Sequence, residues 1–395
     1  MKITMISNYI NHHQIPFSNE LYERLGADYC FIQTEPMEEE RVKMGWGLDP
    51  STLPYVKLYY MDKEACDEKI ASCDILLVGW LLDESPVIKR MQNNRLTIRI
   101  SERIYREGQY KAVSPRGLLQ KHKEHIRYRK KNIYLLCAGA YVASDFHLIH
   151  AYPDKMFQFG YFPQLRHYEK GELMQKKPSL KRIEMIWAGR YLELKHPEFV
   201  IKLATDLKQQ GYSFHIHMIG DGPLKEEIDR QIEQNGLQEI ITQYGFCSPK
   251  EVRDRMETCH IHLFTSNSLE GWGAVVNEGM NSGLAEVVNS QVGAAPFLIR
   301  HGNNGMVYKE GSYEDFKKCV VYLLDHPDEI RRMGENACNT ITEKWNAAHA
   351  AEELLRFYKN WQQDKIDPPK DGPFSIAPVI APHKMYRFLC DREKH

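Results

Sequence analysis

The chain has 395 residues, 43% hydrophobic and 27% charged, a soluble globular composition too long for one hydrophobic core. A formal net charge of −1 excludes general nucleic-acid binding, which needs a large positive surplus, and confines any basic surface to a local patch. The nine cysteines are scattered and form no C-x-x-C pair, the pattern of free thiols in a reducing compartment rather than of a disulfide framework or a zinc site.

The opening MKITMISNYINHHQ has too short an apolar run for a signal peptide or a membrane span. It reads as a first β-strand, and a cytoplasmic protein is the expectation. Strand-type runs then follow at DYCFIQT, YVKLYYM, DILLVGW, LTIRIS, IYLLCAG and MFQFGYF, with helix-period segments such as 14–25 and 116–131 between them. Such alternation means βαβ units and a parallel sheet covered by helices on both faces. A first domain is expected over 1–165, and the polar QLRHYEKGELMQKKPSLKR breaks the rhythm and places a linker at 166–181.

Over 182–363 the alternation restarts with IEMIWAG, FHIHMIG, IITQYG, IHLFTS, AEVVNS and GMVY. Helices are expected at HPEFVIKLATDLKQQG, PLKEEIDRQIEQNG, SPKEVRDRMETC and GWGAVVNEGMNSG, and the pattern is purely helical from Ser312 to about Gln363. Within 364–395, DPPKDGPFSIAPVIAP holds five prolines and must run as an extended connector to a last helical piece, HKMYRFLCDR. Two doubly wound domains whose strand ends face each other would make a cleft, and ligands of open α/β sheets bind at those ends.

The residues after the strands of the second half carry the chemistry. Arg190 and Lys195 follow IEMIWAG, and two cations at a strand end suit a diphosphate, although ordinary surface charges would look the same. Gly220-Asp221-Gly222-Pro223 lacks the third glycine of a dinucleotide fingerprint and reads as a structural turn. Ser248, Pro249 and Glu251 read as a capping box, with the backbone of Phe246 and Cys247 at the strand end, available to a base edge. In SLEGWGAVVNEG, Gly271 and Gly273 let the backbone approach a ligand, and a helix starting about Trp272 offers N–H groups to a phosphate. Glu270 and Glu278 would then grip sugar hydroxyls on either side of the phosphates, since carboxylates accept pairs of hydrogen bonds from vicinal diols. A helix-start acid and an exposed glutamate are the plainer alternative.

Taken together and in order, WAGRYLELK, IGDGPL, the strand before SPKEV, the E-x7-E motif EGWGAVVNEGMNSG and VGAAPFLIRHGNNGMVY resemble the retaining glycosyltransferases of the GT-B fold, family 4 type. The resemblance covers residues 183–308; for the first half it rests on βα alternation alone. It implies an α/β, GT-B architecture of two Rossmann-like domains facing across a cleft, with C-terminal helices crossing back to the first domain. It implies Arg190 and Lys195 on the donor diphosphate, Glu270 on the transferred sugar, Glu278 on the ribose and backbone N–H groups at Gly271, Trp272 and Gly273 in the phosphate cradle. Trp272, Asn277, Gly279 and Leu284-Ala285 depart from the family pattern, and NYINHHQIPF lacks the glycine pair many relatives use. Asn11, His12 and His13 become candidates for that role on the acceptor side.

The implied activity is transfer of a hexose-type sugar from a nucleotide-diphosphate sugar to a glycan or lipid-linked glycan, in surface polysaccharide synthesis of the bacterial type. The leaving phosphate would help deprotonate the acceptor, and the protein would supply charge and position. No Asp-x-Asp occurs, so no metal and no other cofactor is expected. Glu102 and Arg103 after LTIRIS are further acceptor-side candidates, an internal salt bridge being the alternative. RGLLQKHKEHIRYRKK, 116–131, sets seven Lys/Arg against one Glu and could lay a peripheral protein on the anionic inner face of a membrane, or simply be a solvated face. A non-catalytic nucleotide-sugar-binding subunit and a sugar-nucleotide epimerase of the same fold are the competing functions. A glycoside hydrolase fits poorly, because its two carboxylates must flank the scissile bond.

Overall fold

Runs such as ITMIS, ILLV and IYLLCA are buried along their whole length, as strands covered on both faces must be. In the computed structural model, which describes residues 1–39, 47–169 and 171–391, the chain divides into two compact units, Met1–Gln164 with Trp345–Ile380 and Leu165–Lys344 with Ala381–His395.

The first unit is built on β1 (Ile3–Ser7), β2 (Tyr29–Gln33), β3 (Val56–Leu58), β4 (Ile75–Val78), β5 (Thr97–Ser101), β6 (Ile133–Ala138) and β7 (Met156–Phe159). These pair in parallel in the order β3-β2-β1-β4-β5-β6-β7. The second unit holds β8 (Ile183–Ala188), β9 (Phe214–Ile219), β10 (Ile241–Gln243), β11 (Ile261–Phe264), β12 (Ala285–Asn289) and β13 (Gly305–Tyr308). Their order, β10-β9-β8-β11-β12-β13, is the doubly wound 3-2-1-4-5-6 arrangement, with its reversal between β8 and β11.

The boundaries differ from the expected ones in two places. Residues 166–181 belong to the second unit: Arg166 pairs with Asp254 and Glu257, and the buried Lys177 ammonium donates to the carbonyls of Cys259 and Ser282. The helix Ala347–Gln362, expected in the second domain, belongs to the first, where it packs on the helix Ile15–Leu25 and Arg24 pairs with Glu352. The proline-rich connector is extended as expected. Its Phe374–Ala377 stretch also lies antiparallel on the edge of β7, with Gln158 N–H donating to Ser375 at 2.7 Å and Ala377 N–H to Met156 at 3.0 Å. Lys170 and Arg392, in the expected linker and last helix, lie outside the described residues.

Local signals settle several helix starts. Ser248 and Glu251 form the capping box that starts Pro249–Met256. The basic segment is shorter than expected: its helix is Pro115–Glu124, capped by Ser114, and His125 turns inward as a buried residue. All nine cysteines are free thiols.

Candidate functional site

The second sheet reverses between β8 and β11, and the loops leaving those two strands are stitched together. Trp187 Nε1 donates to Thr265 Oγ1 at 2.8 Å, and Thr265 Oγ1 donates to the Lys195 carbonyl at 2.5 Å. Asn267 N–H donates to the Leu194 carbonyl at 2.8 Å. The β8 loop is also held from β9: Gly220, at φ 136°, packs so close to Gly189 that a Cβ there would overlap the Gly189 carbonyl. The Gly-Asp-Gly turn is thus structural, as its missing third glycine implied.

On this frame the Lys195 ammonium forms an ion pair with the Glu270 carboxylate, each side chain 17% exposed, and lies 5.5 Å from the Phe264 ring centre. Arg190, in the same loop, is exposed. Arg190, Lys195 and Glu270 therefore stand in the loops that leave one end of two adjacent strands.

The following helix is Ala274–Asn281, starting two residues later than expected. Gly273 holds its N-cap at φ 85°, where a Cβ would sit 2.9 Å from Val292. Gly271 and Trp272 accept at their carbonyls from the N–H groups of Gly293 and Ala294, at 3.1 and 2.9 Å. Since trans peptides point C=O and N–H oppositely, the N–H groups of Trp272 and Gly273 turn away from that segment. The Trp272 side chain, by contrast, is buried and donates to Asn277 at 2.7 Å, which leaves its backbone as the candidate for a ligand contact.

Glu278 is half-buried one turn into the helix, about 6 Å along the axis from its start. Burial raises its carboxyl above the usual range, opposed by the charges of Arg253, His262 and Arg166. Phe246 and Cys247 follow Gly245 beyond β10, two strands from β8; the Phe246 side chain is 64% exposed and Cys247 partly buried.

Two supports escaped the sequence reading. Glu310 accepts from Ser268 N–H at 3.2 Å and bonds Asn289, bracing the loop before Glu270. His196, at φ 46°, bonds Glu198 at 2.6 Å and Asn267 at 3.2 Å, and the Glu198 carboxylate raises its pKa. Glu310 was findable, because it stands just past β13, where strand-end residues are the ones to inspect.

In the first unit, Asn11, His12 and His13 form a turn after β1, with His13 N–H donating to Asn11 Oδ1 at 3.0 Å. The two imidazoles lie 3.8 Å apart, and His13 stacks on Tyr161 at 5.6 Å. Tyr161 donates to Glu102 Oε1 at 2.5 Å, and Glu102 pairs with Arg106. Tyr161 thus joins the two acceptor-side candidate groups, which no sequence spacing would show. Burial, then the nearby His12, lowers the His13 pKa to about 3. Arg103 does not join them. Its guanidinium sits 3.4 Å from the fully buried Asp145 and 5.1 Å from the Tyr141 ring, an internal pair that removes it from the acceptor side.

Two doubly wound parallel units in one chain define the GT-B class of fold. HepE of Anabaena, solved in complex with UDP, shares it at a TM-score of 0.67 and 12% identity, covering 91% of this chain and 100% of that one. Residues 169–340, within the second unit, match the family model Glycosyl transferases group 1. Curated relatives include the alpha-D-kanosaminyltransferase of Streptomyces kanamyceticus, 26% identical over 190 residues, 48% of this chain and 49% of that protein. The putative colanic acid biosynthesis glycosyltransferase WcaL of Salmonella typhimurium is 29% identical over 178 residues, 43% of each chain. The chain thus spans about half the length of the curated relatives it matches. No helix among the described residues is long and apolar enough to cross a membrane.

Proposed function

We propose that the chain is a retaining, metal-independent glycosyltransferase that moves a hexose-type sugar from a nucleotide-diphosphate sugar to a glycan or lipid-linked glycan of a surface polysaccharide. The observation that carries this reading is the Lys195–Glu270 pair at the sheet reversal, in the loop that also holds Arg190. An ammonium has three donors, so Lys195 can keep Glu270 and still take a phosphate oxygen. Glu270 retains acceptor capacity for sugar hydroxyls, and Glu278 is the candidate for the ribose. The HepE complex with UDP supports a nucleotide diphosphate as the ligand, and the colanic acid relative supports a polysaccharide product.

The chemistry then needs little from the side chains beyond charge and position. As the sugar–phosphate bond breaks, negative charge grows on the leaving diphosphate, where Arg190, Lys195 and the backbone N–H groups before Ala274 meet it. The departing phosphate oxygen takes the acceptor proton on the same face, which retains the anomeric configuration.

A panel of UDP-, GDP- and TDP-sugars with glycan acceptors tests this by nucleotide release, with anomeric configuration read by NMR. Lys195→Met and Arg190→Ala should each lower kcat/KM by about 10²–10³-fold, the scale of a lost donor to developing oxyanion charge. Activity should survive EDTA; loss restored by manganese overturns the metal-independent part. Donor binding without turnover on every acceptor overturns the enzyme reading in favour of a non-catalytic subunit.

A further inference from the structure

The helix Pro115–Glu124 has ten residues, none of them buried. Leu119 is 59% exposed, and the turn before it, Gln109–Val113, exposes Tyr110 by 70% and Val113 by 79%. Water-facing leucine, valine and tyrosine in so short a span form an apolar strip without cover from their own unit.

The charges are placed around that strip. Arg116 and Lys123 stand three residues before and four after Leu119, so the leucine lies between two exposed cations on one helix face. Leu118 is exposed beside them, and Arg127, Arg129 and Lys130 extend the basic surface past the helix end. The acids nearby are Glu107 and Glu124, which pair with Lys111 and Lys121.

We propose that Tyr110, Val113, Leu118 and Leu119, framed by Arg116 and Lys123, form a docking surface for an anionic lipid bilayer. A helix lying in the interface plane sinks its apolar residues into the acyl boundary, while long cationic side chains reach the headgroup phosphates. A soluble acidic partner would use the cations and leave the leucines in water. The segment 110–123 exposes both chemistries side by side, which favours lipid. The surface lies in the first unit and does not depend on the reaction assigned to the second.

The test is sedimentation of the full chain with phosphatidylcholine vesicles, with and without phosphatidylglycerol. Pelleting should require phosphatidylglycerol and disappear at high salt. Arg116→Gln and Lys123→Gln should each weaken it about fivefold, and Leu119→Gln about tenfold or more. These side chains are exposed, so unchanged thermal melting verifies the variants' fold. Absence of pelleting with phosphatidylglycerol at low salt overturns the proposal, as does equal pelleting with phosphatidylcholine alone. Leu119→Gln pelleting like the parent also overturns it, and points to a polyanion contact instead.

Discussion

The Trp272 indole and the Asn277 amide stand five residues apart and bond each other in a buried setting at 2.7 Å. Two departures from the glycosyltransferase pattern thereby explain one another: a tryptophan supplies the donor that an asparagine at an apolar position requires. Trp272→Phe should cost about 1–3 kcal/mol, because the buried amide loses that donor. Trp272→Phe with Asn277→Leu should recover much of it, and a thermal double-mutant cycle that is merely additive would refute the coupling. Gly279 has a similar logic. His262 and Glu286 are opposite partners on β11 and β12, both fully buried and bonded at 2.8 Å, and a Cβ on Gly279 would overlap Glu286 Oε1. Gly279→Ala should therefore lower stability by about 1–3 kcal/mol despite the helix it sits in, as overpacking does. Each oddity was visible in the sequence, but the pairing was not: Glu286 is seven residues beyond Gly279, in the strand AEVVNS.

The strands were legible because buried parallel strands are written as continuous apolar runs. The later start of the Ala274–Asn281 helix was not, since the left-handed Gly273 is what delays it. Likewise nothing local told that FSIA would add to β7, because edge pairing across more than two hundred residues leaves no periodic trace. This segment covers an otherwise open row of backbone groups, accepting from Gln158 N–H and donating from Phe374 and Ala377. Ala377→Pro removes the N–H bonded to Met156 and should lower stability by roughly 1–3 kcal/mol. Faster hydrogen exchange confined to β7 would locate the damage there, and unchanged β7 protection would show the pairing to be incidental.

For the molecule as a whole, proton binding sets a limit. His12, His13 and His125 are all lowered by burial, His13 to about 3, so the native chain stays neutral at sites the unfolded chain protonates near pH 6.5. At these sites the unfolded state then binds more protons below that value, and their contribution to stability falls as pH drops through 6.5. The slope is up to about 1.4 kcal/mol per pH unit for each such group. Melting curves between pH 7 and 5 should shift down, and less so in His13→Gln; an identical shift there would discharge His13 from the effect. The donor-side candidates were readable because they stand in loops after strands, or for Glu278 in the helix that follows, within one unit. The acceptor-side group required Tyr161, Asn11 and Glu102 to be brought from three separate strand ends, and a buried Asp145 claimed Arg103, both matters of tertiary contact.

The return of Trp345–Ile380 to the first unit also sets an order of birth. On the ribosome, residues 1–164 emerge first, yet the helix and edge strand that complete their unit follow only after 165–344. The earlier-made unit must therefore wait, with the edge of β7 and one side of the Ile15–Leu25 helix bare, while the later one is finished. Completion of the first unit therefore waits on Trp345–Ile380 rather than on Gln164.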